Sequence, residues 1–597
     1  MTSPEGPLVV EATDEEGRRY RSGVYEPVDE STLEDAPESA SFPVRGAGPA
    51  FKRMARVPRV PRVRHLVGPS VIAAGMGLGA GEFLLWPNLI TVNGYGIWWL
   101  FWIGVLTQFL VIGEIERWTI ATGESIFGGM ARLDRFSFWP WFFLVATLFS
   151  FFWPGWASLS GEFVGEIVFL VTGVQLAWQP LAIVMLAVIW VGLALSKVVY
   201  NALERFEMAL VLAFFPLLLI TLLLVGFVPS DFLDLLKGAA SVGTAPPDLL
   251  TGNQFPTLLL AVAYAGTGGT LLLAQSLWIR DKGFGMAVHQ GRIAGIRGQN
   301  EEISDTGFVF DVEDPTALAR FGAWMRAAHK ELLVTFVLLT LVSVVITSML
   351  VTSTLGVGNL DLAGDQAGMV SREGEAIQAI GGVWLRVAFL LGGAFILFST
   401  QVGIIDTVTR ISGSIFYERY GRRTSFWTVK RTFALFLTVL TLAAMGIIAA
   451  SWFGGQALAA LQPSFLLLVA GPFTISSMYA YTLVVGYMNT TRLPAALTSP
   501  GWKRWGMLWA ATLWGWFTVE VVTRGLMSSI GVETATVESL AWHPIRVVGY
   551  ALWIASLVWF AVRVIPSRGR RRWTPPPSPP RSSSVRDRDC SPGAPEP

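Results

Sequence analysis

VGPSVIAAGMGLGAGEFLLWPNLITVNGYG, residues 67–96, decides how the rest of the chain is read. It is apolar and long enough to cross a bilayer, for which about 20 residues suffice. Yet Gly75, Gly77, Gly79 and Gly81 alternate through its middle, and Glu82 follows at once. Each glycine costs roughly 1 kcal/mol against alanine inside a helix, so four together predict a locally unwound segment near the membrane midplane. Freed carbonyls and amides there would face a carboxylate whose burial in lipid is expensive, which is the physics of a solute or ion site. A second reading stands beside this one: small residues at this spacing, Gly77 with Gly81 among them, also let two membrane helices pack closely with no ligand involved. Glu82 favours the functional break, because an intramembrane ionisable group marks a functional site by default.

Composition agrees with a membrane location. Over 597 residues the chain is 52% hydrophobic and 15% charged, with a mean hydropathy of +0.52, which places it among polytopic membrane proteins. A net charge of +1 gives no dominant basic face and argues against nucleic acid as a partner. The one cysteine, Cys590, excludes an intrachain disulfide and a cysteine-rich metal site. The first apolar run begins at Val67, so no cleavable signal peptide is expected.

Residues 1–65 are expected to form a disordered cytoplasmic tail, polar and acidic at first and ending in FKRMARVPRVPRVRH at 51–65. Twelve membrane helices are predicted, near 67–92, 96–119, 137–171, 179–196, 204–228, 255–279, 329–354, 378–405, 427–450, 457–488, 504–523 and 542–564. Alternate loops carry the cations: Arg117, Arg132 and Arg135; Lys197 and Arg205; Arg280 and Lys282; the run from Arg410 to Arg431; Arg492, Lys503 and Arg504. The intervening loops GVQLAWQP and SWFGGQ have none. Both termini are therefore expected in the cytoplasm and the protein in the plasma (inner) membrane. The loop at 280–328 reads as a cytoplasmic insert, either a solvated connection or a small hairpin. Residues 500–565 supply two accessory helices, and 566–597, rich in Pro, Ser and Arg, a disordered cytoplasmic tail.

The sixth predicted helix reads FPTLLLAVAYAGTGGTLLLAQSLWIRDKG, residues 255–283, with Gly266, Gly268 and Gly269 at mid-depth. Two glycine-interrupted helices, first and sixth in the series, point to an inverted repeat of five helices plus five with a site where the repeats meet. Gly75, Gly77, Gly266, Gly268 and Gly269 are its expected hinges.

GPSVIAAGMGLGAGEFLLWP, followed by a short turn and GYGIWWLFW, resembles the opening of the Nramp divalent-metal transporters. The resemblance implies an all-α, LeuT-type fold of the amino acid, polyamine and organocation superfamily, with a ten-helix core over 66–490, discontinuous helices 1 and 6, alternating access and metal movement coupled to protons. The family's metal-binding motifs are altered. Its Asp-Pro-Gly-Asn falls on Gly79, Ala80, Gly81 and Glu82, and its Met-Pro-His-Asn on Thr267, Gly268, Gly269 and Thr270. The soft thioether that favours transition metals is missing. SLSGEFVGEIV at 158–168 resembles the family's acidic proton route, with Glu166 at the glutamate position and Glu162 one residue off the aspartate. The tenth-helix glutamine falls on Gln462 in LQPSF, although AGPF at 470–473 anchors the alignment equally well.

One carboxylate, Thr267 and Thr270 hydroxyls and loose carbonyls make a hard oxygen site suited to Mg²⁺, Mn²⁺, Na⁺ or a proton, with Glu82 as the candidate metal ligand. A small organic solute such as an amino acid or amine is the alternative cargo, held at a half-helix end. Glu162 and Glu166 lie one turn apart, as a proton relay or as partners of an unseen cation. Ser399 and Thr400, in FSTQVGIIDTVTR, resemble the second sodium site of LeuT-type proteins, or bond their own backbone. Asp406 and Arg410 are spaced as an interfacial ion pair, Glu520 has no evident partner, and Glu114, Glu116 and Arg117 read as interfacially solvated or as an inner gate. No HExxH, GxSxG or phosphate-loop motif supports an enzyme. The expectation is a secondary transporter with no cofactor beyond transported or coupling ions. Its partners are the small solute or ion and the lipid bilayer, with no obligatory protein partner; a channel or sensor on the same fold is the remaining class.

Overall fold

Hydrocarbon offers no hydrogen-bond partner, so a chain this apolar must satisfy its backbone within helices. The computed structural model describes residues 51, 53–61, 66–196, 199–244, 249, 254–290, 306–454, 461–468, 470–532 and 542–566, with short strands at 12–13, 19–21, 24–25 and 34–35. Among them nine helices are long and apolar enough to cross a membrane: Pro69–Asn93, Tyr95–Thr122, Phe138–Thr172, Trp178–Leu195, Val199–Val225, Pro315–Leu355, Val383–Arg423, Val429–Phe453 and Pro544–Val564. Three more complete the expected series. The sixth is split into Phe255–Ala263 and Gln275–Lys282, the tenth into Pro463–Leu468 and Gly471–Thr491, and the eleventh is Gly501–Ser529. This is an integral membrane protein, all-helical apart from strands of two or three residues.

Span 1 departs from expectation. It does not unwind: Pro69–Gly77 passes into a π-helical turn over Leu78–Leu85 and on into Trp86–Asn93 without interruption. A widened turn keeps each backbone group bonded, which an unwound segment at this depth would not. The glycines serve approach instead. A Cβ on Gly81 would overlap the Tyr264 carbonyl oxygen, one on Gly77 would lie 2.6 Å from that of Gly266, and those on Gly75 and Gly79 would overlap the Glu207 carboxyl and the Thr400 hydroxyl. These contacts fit the packing reading of Gly77 with Gly81, and both Gly75 and Gly77 lie within continuous helix here.

Span 6 breaks as expected. Helix stops at Ala263 and resumes as a 3₁₀ turn at Gly269–Ala274. Gly266, Gly268 and Gly269 have φ of 107°, 72° and 60°, left-handed values at which a side chain is strained. Span 3, read as one helix, is also divided: Phe138–Phe151 and Gly155–Thr172 flank Pro154.

The crossings form two groups. Gly155–Thr172 of span 3 packs along span 8 and span 4, span 4 along span 9, and span 9 along span 8, making a scaffold. Spans 1, 2, 6 and 7 form a bundle, with span 5 packed on spans 1, 7 and 8. A short helix follows the second crossing of each half, Ile126–Ala131 on one side and Gln366–Gly381 on the other, as an inverted repeat requires. Spans 11 and 12 pack outside this core against span 10, where Glu520 finds the partners that the sequence left unnamed, Arg524 at 3.2 Å and Arg546 at 2.6 Å.

The tail expected to be disordered through residue 65 is ordered near its end. Phe51, Ala55 and Val57 are buried, and Arg53–Met54 pairs in parallel with Phe308–Val309 of the 280–328 insert. The insert is thus more than a solvated connection, since Thr306, Phe308 and Val309 are buried too. Residues 291–305 and the C-terminal tail from 567 lie outside the described residues.

Two outcomes follow from this packing. Gly81→Ala is expected to cost roughly 1–3 kcal/mol through overpacking, read as a lower melting temperature in detergent. Gly446→Ala, where nothing lies within 4 Å of the added carbon, should be neutral or slightly stabilising. In the short helix Gln366–Gly381, Glu373 is 3% exposed, and burial pushes its carboxyl up to about 8. Burying its charged form costs nothing below about pH 4.5, where the carboxyl is neutral whether packed or not, and costs progressively more as pH rises to about 8. Wild-type melting temperature should therefore fall across that window relative to Glu373→Gln; parallel curves would refute the assignment.

Candidate functional site

The break in span 6 and the π-helical turn of span 1 lie against each other, because Gly77 and Gly81 share the face that meets Tyr264 and Gly266. Of the residues expected here, Thr267 gives its hydroxyl to the Ala73 carbonyl of span 1, tying the two crossings together. Thr270 is fully buried and its hydroxyl has no partner. Gln108 of span 2 donates to the Ala263 carbonyl at 2.9 Å, and its side-chain oxygen, also without a partner, lies beside Gly266.

Aromatic rings surround the break, which sequence reasoning missed. Phe151 and Trp156 flank the interruption in span 3 with ring centroids 6.4 Å apart, and Trp156 meets Tyr264 edge-on at 6.4 Å. The Trp156 indole N–H is buried and has no acceptor, and the Tyr264 hydroxyl lies 3.3 Å from that of Thr474 in span 10. Tryptophans read only as interfacial anchors gave no signal for this; the interruption at Pro154 was the available clue.

Glu82 is placed differently from expectation. It is fully buried with both carboxyl oxygens unpartnered, but it faces span 7. Thr340 and Ser343 lie near it on that span, and Thr347 donates to its backbone carbonyl at 2.7 Å. One residue is about 100° of helical rotation, so with Gly81 against span 6 the next side chain points elsewhere. The acid is therefore not enclosed between spans 1 and 6. Gly79 sits against Thr400, whose hydroxyl donates to the Met76 carbonyl at 3.2 Å. An aspartate at 79 would meet that hydroxyl, so this packing is incompatible with the resembled ligand. Among the described residues no group of three or more His, Cys, Asp or Glu could hold a metal ion.

Ser399 donates to a carboxylate that the sequence reading passed over, Glu207 of span 5, at 2.6 Å. Glu207 is fully buried, its second oxygen unpartnered, and its carboxyl rests on the backbone of span 1 at Gly75. It follows Glu204 and Arg205 closely in sequence, and packing takes it inside. Glu166 pairs with Arg386 of span 8, so the pairing reading holds for it, while Glu162 has no ion pair or hydrogen bond among the described residues. Gln462 is exposed, its carbonyl accepting from the Leu466 amide at 3.0 Å, and it does not line the break.

The end of the bundle at Arg280–Lys282 is closed by charge. Three consecutive residues at the end of span 6 reach three partners: Arg280 to Glu418 at 3.4 Å, Asp281 to Arg410, and Lys282 to Glu204 at 2.8 Å. Arg410 also bonds Asp406 at 3.0 Å, and both are fully buried, so this pair is not interfacial. Glu331 accepts from the Gly68 and Ser70 amides at 3.3 and 3.1 Å, a carboxylate at the amino end of span 1. Glu114, Glu116 and Arg117 are buried rather than solvated: Glu114 pairs with Arg117 at 3.0 Å and Lys503 at 3.2 Å, and Glu116 accepts from Gln275 at 2.9 Å.

No described protein family and no curated protein matches the sequence. Solved structures do. A point mutant of the manganese transporter of Eremococcus coleocola aligns over 83% of this chain and 94% of its own, with a TM-score of 0.57 at 12% identity. A second mutant of that transporter gives 0.57 at 11% identity, and its complex with an aromatic bis-isothiourea substituted compound gives 0.55 at 11%, over the same shares. Identity this low speaks for the fold alone. That fold is the LeuT-type inverted repeat implied by the resemblance of the opening helices.

Proposed function

We propose that the protein is a secondary active transporter, not an enzyme, moving a small cation by alternating access, with H⁺ or Na⁺ as the coupling ion. The observation that carries this reading is span 6, broken at mid-depth by three left-handed glycines and held against span 1. Below it, ion pairs join the end of span 6 to spans 5 and 8 and can separate and re-form. Rocking of the bundle on the scaffold would break these contacts on one side of the membrane and expose the break to the cytoplasm. Both termini in the cytoplasm and a plasma (inner) membrane location agree with the cation-bearing loops.

Cargo has two readings. Glu82, with the hydroxyls of Thr340 and Ser343, supplies hard oxygen donors suited to Mg²⁺, Mn²⁺, Na⁺ or a proton. The structural neighbours are manganese transporters by name. A small organic solute such as an amine is favoured by a separate observation: Phe151, Trp156 and Tyr264 lie at the break, whereas among the described residues the buried acids named above, Glu82 and Glu207, point elsewhere. Aromatic faces attract organic cations and apolar bodies, whereas a divalent ion needs several oxygen ligands.

Uptake into proteoliposomes, with divalent cations and amines offered in parallel under separate pH and Na⁺ gradients, distinguishes the readings. Glu82→Gln should abolish or uncouple uptake while the melting temperature stays within a few degrees of wild type. Undiminished uptake with wild-type pH dependence in that variant would remove Glu82 from the mechanism.

A further inference from the structure

The segment just before span 1 lies across the cytoplasmic gate. Phe51 packs under the Arg132 guanidinium at 4.4 Å, in the short helix region after span 2. The Ala55 amide donates to the Val309 carbonyl at 2.9 Å, extending the parallel pairing with the insert. Three successive carbonyls then accept from three different side chains: Arg56 from His289 Nε2 at 3.2 Å, Val57 from Arg320 at 3.0 Å, and Pro58 from Trp324 Nε1 at 2.8 Å. His289 follows span 6, and Arg320 and Trp324 lie on the inner extension of span 7.

We propose that residues 51–60 are an autoinhibitory strap that holds the cytoplasmic gate shut and must detach before the gate opens. The strap spans the turn after span 6, the extension of span 7 and the helix after span 2, so none of these swings away from the others while it is seated. It leads through Leu66 into Gly68, whose amide is bonded to Glu331 of span 7, so the strap and the amino end of span 1 are held by the same helix. Its attachments include a two-residue strand paired with Glu34–Asp35 and with Phe308–Val309, the Ala55 amide bond, three bonds to its carbonyls and the Phe51 ring contact, while Pro58 and Pro61 keep it from joining a longer strand or helix. Short segments outside the helical core open before the core does. The sequence carries a trace of it: Phe51, Met54, Val57, Val60 and Val63 recur at every third position, the repeat of an extended polyproline-type turn with one apolar edge.

The purpose of the strap rests on the carrier reading, but its test does not. Ser276 is fully buried on the inner half of span 6, its hydroxyl accepting from the Ile126 amide, so a thiol there reports gate opening. In full-length protein carrying Cys590→Ser and Ser276→Cys, maleimide labelling should be slow. Removing residues 1–60 should speed it about tenfold, and Trp324→Phe, which loses the bond to Pro58 and part of a buried ring packed near Phe284, a few-fold. A peptide of sequence FKRMARVPRVP added to the truncated protein should slow labelling again, which a general loss of stability would not permit. Equal labelling rates with and without the strap, or no effect of the peptide on the truncated protein, would overturn the proposal. A failed carrier reading would show instead as no solute accumulation by strap-bearing and strapless protein alike.

Discussion

At the depth where spans 1 and 6 meet there is no water to bond a free amide or carbonyl, and the two crossings meet that constraint in opposite ways. Span 1 keeps its ladder by widening into a π-helical turn and uses glycine to let its neighbours come close. Span 6 gives up its ladder over a few residues, and protein groups rather than lipid surround the opened backbone. Gln108 bonds the Ala263 carbonyl, Thr267 reaches across to Ala73, and aromatic rings seal the rest. The break is tolerable because span 1 is intact beside it.

That asymmetry shapes what each crossing can do. The opened backbone of span 6 offers polar groups in a largely apolar, ring-lined setting. The buried acids lie to either side, Glu82 toward span 7 and Glu207 toward span 8. A ligand at the break and an ion at either acid would touch span 1 on different faces. Under the carrier reading, span 1 would therefore connect a ligand at the break with an ion at either acid, with no need for the two to share a ligand set.

Charge closes the bundle at the end of span 6 in a way that packing alone could not. Arg280, Asp281 and Lys282 each have a partner on span 5 or 8, and Arg410 is shared between Asp281 and Asp406. Buried ion pairs contribute little net stability but are costly to break singly, which suits a contact meant to be made and released as a set. The strap at 51–60 adds a second closure built from backbone carbonyls, so the two layers differ in chemistry and answer to different changes.

The apolar spans, the break in span 6 and the division into two halves were legible because they follow from local quantities: run length and glycine content. The fate of span 1 was not. Glycines that lower helix propensity and glycines that permit close approach look alike until the neighbour is known, and only Tyr264, Gly266, Glu207 and Thr400 show that approach is what these residues serve. Likewise Glu207 carries no signal in the sequence, Glu166 reads as half of a relay and residues 51–60 as loose tail until burial, Arg386 and Trp324 are in place. The sequence by itself determined which segments enter the membrane and which one must open there. Only the tertiary structure decided what each polar group faces, because a side chain's direction and partner depend on residues hundreds of positions away that packing brings within a few ångströms.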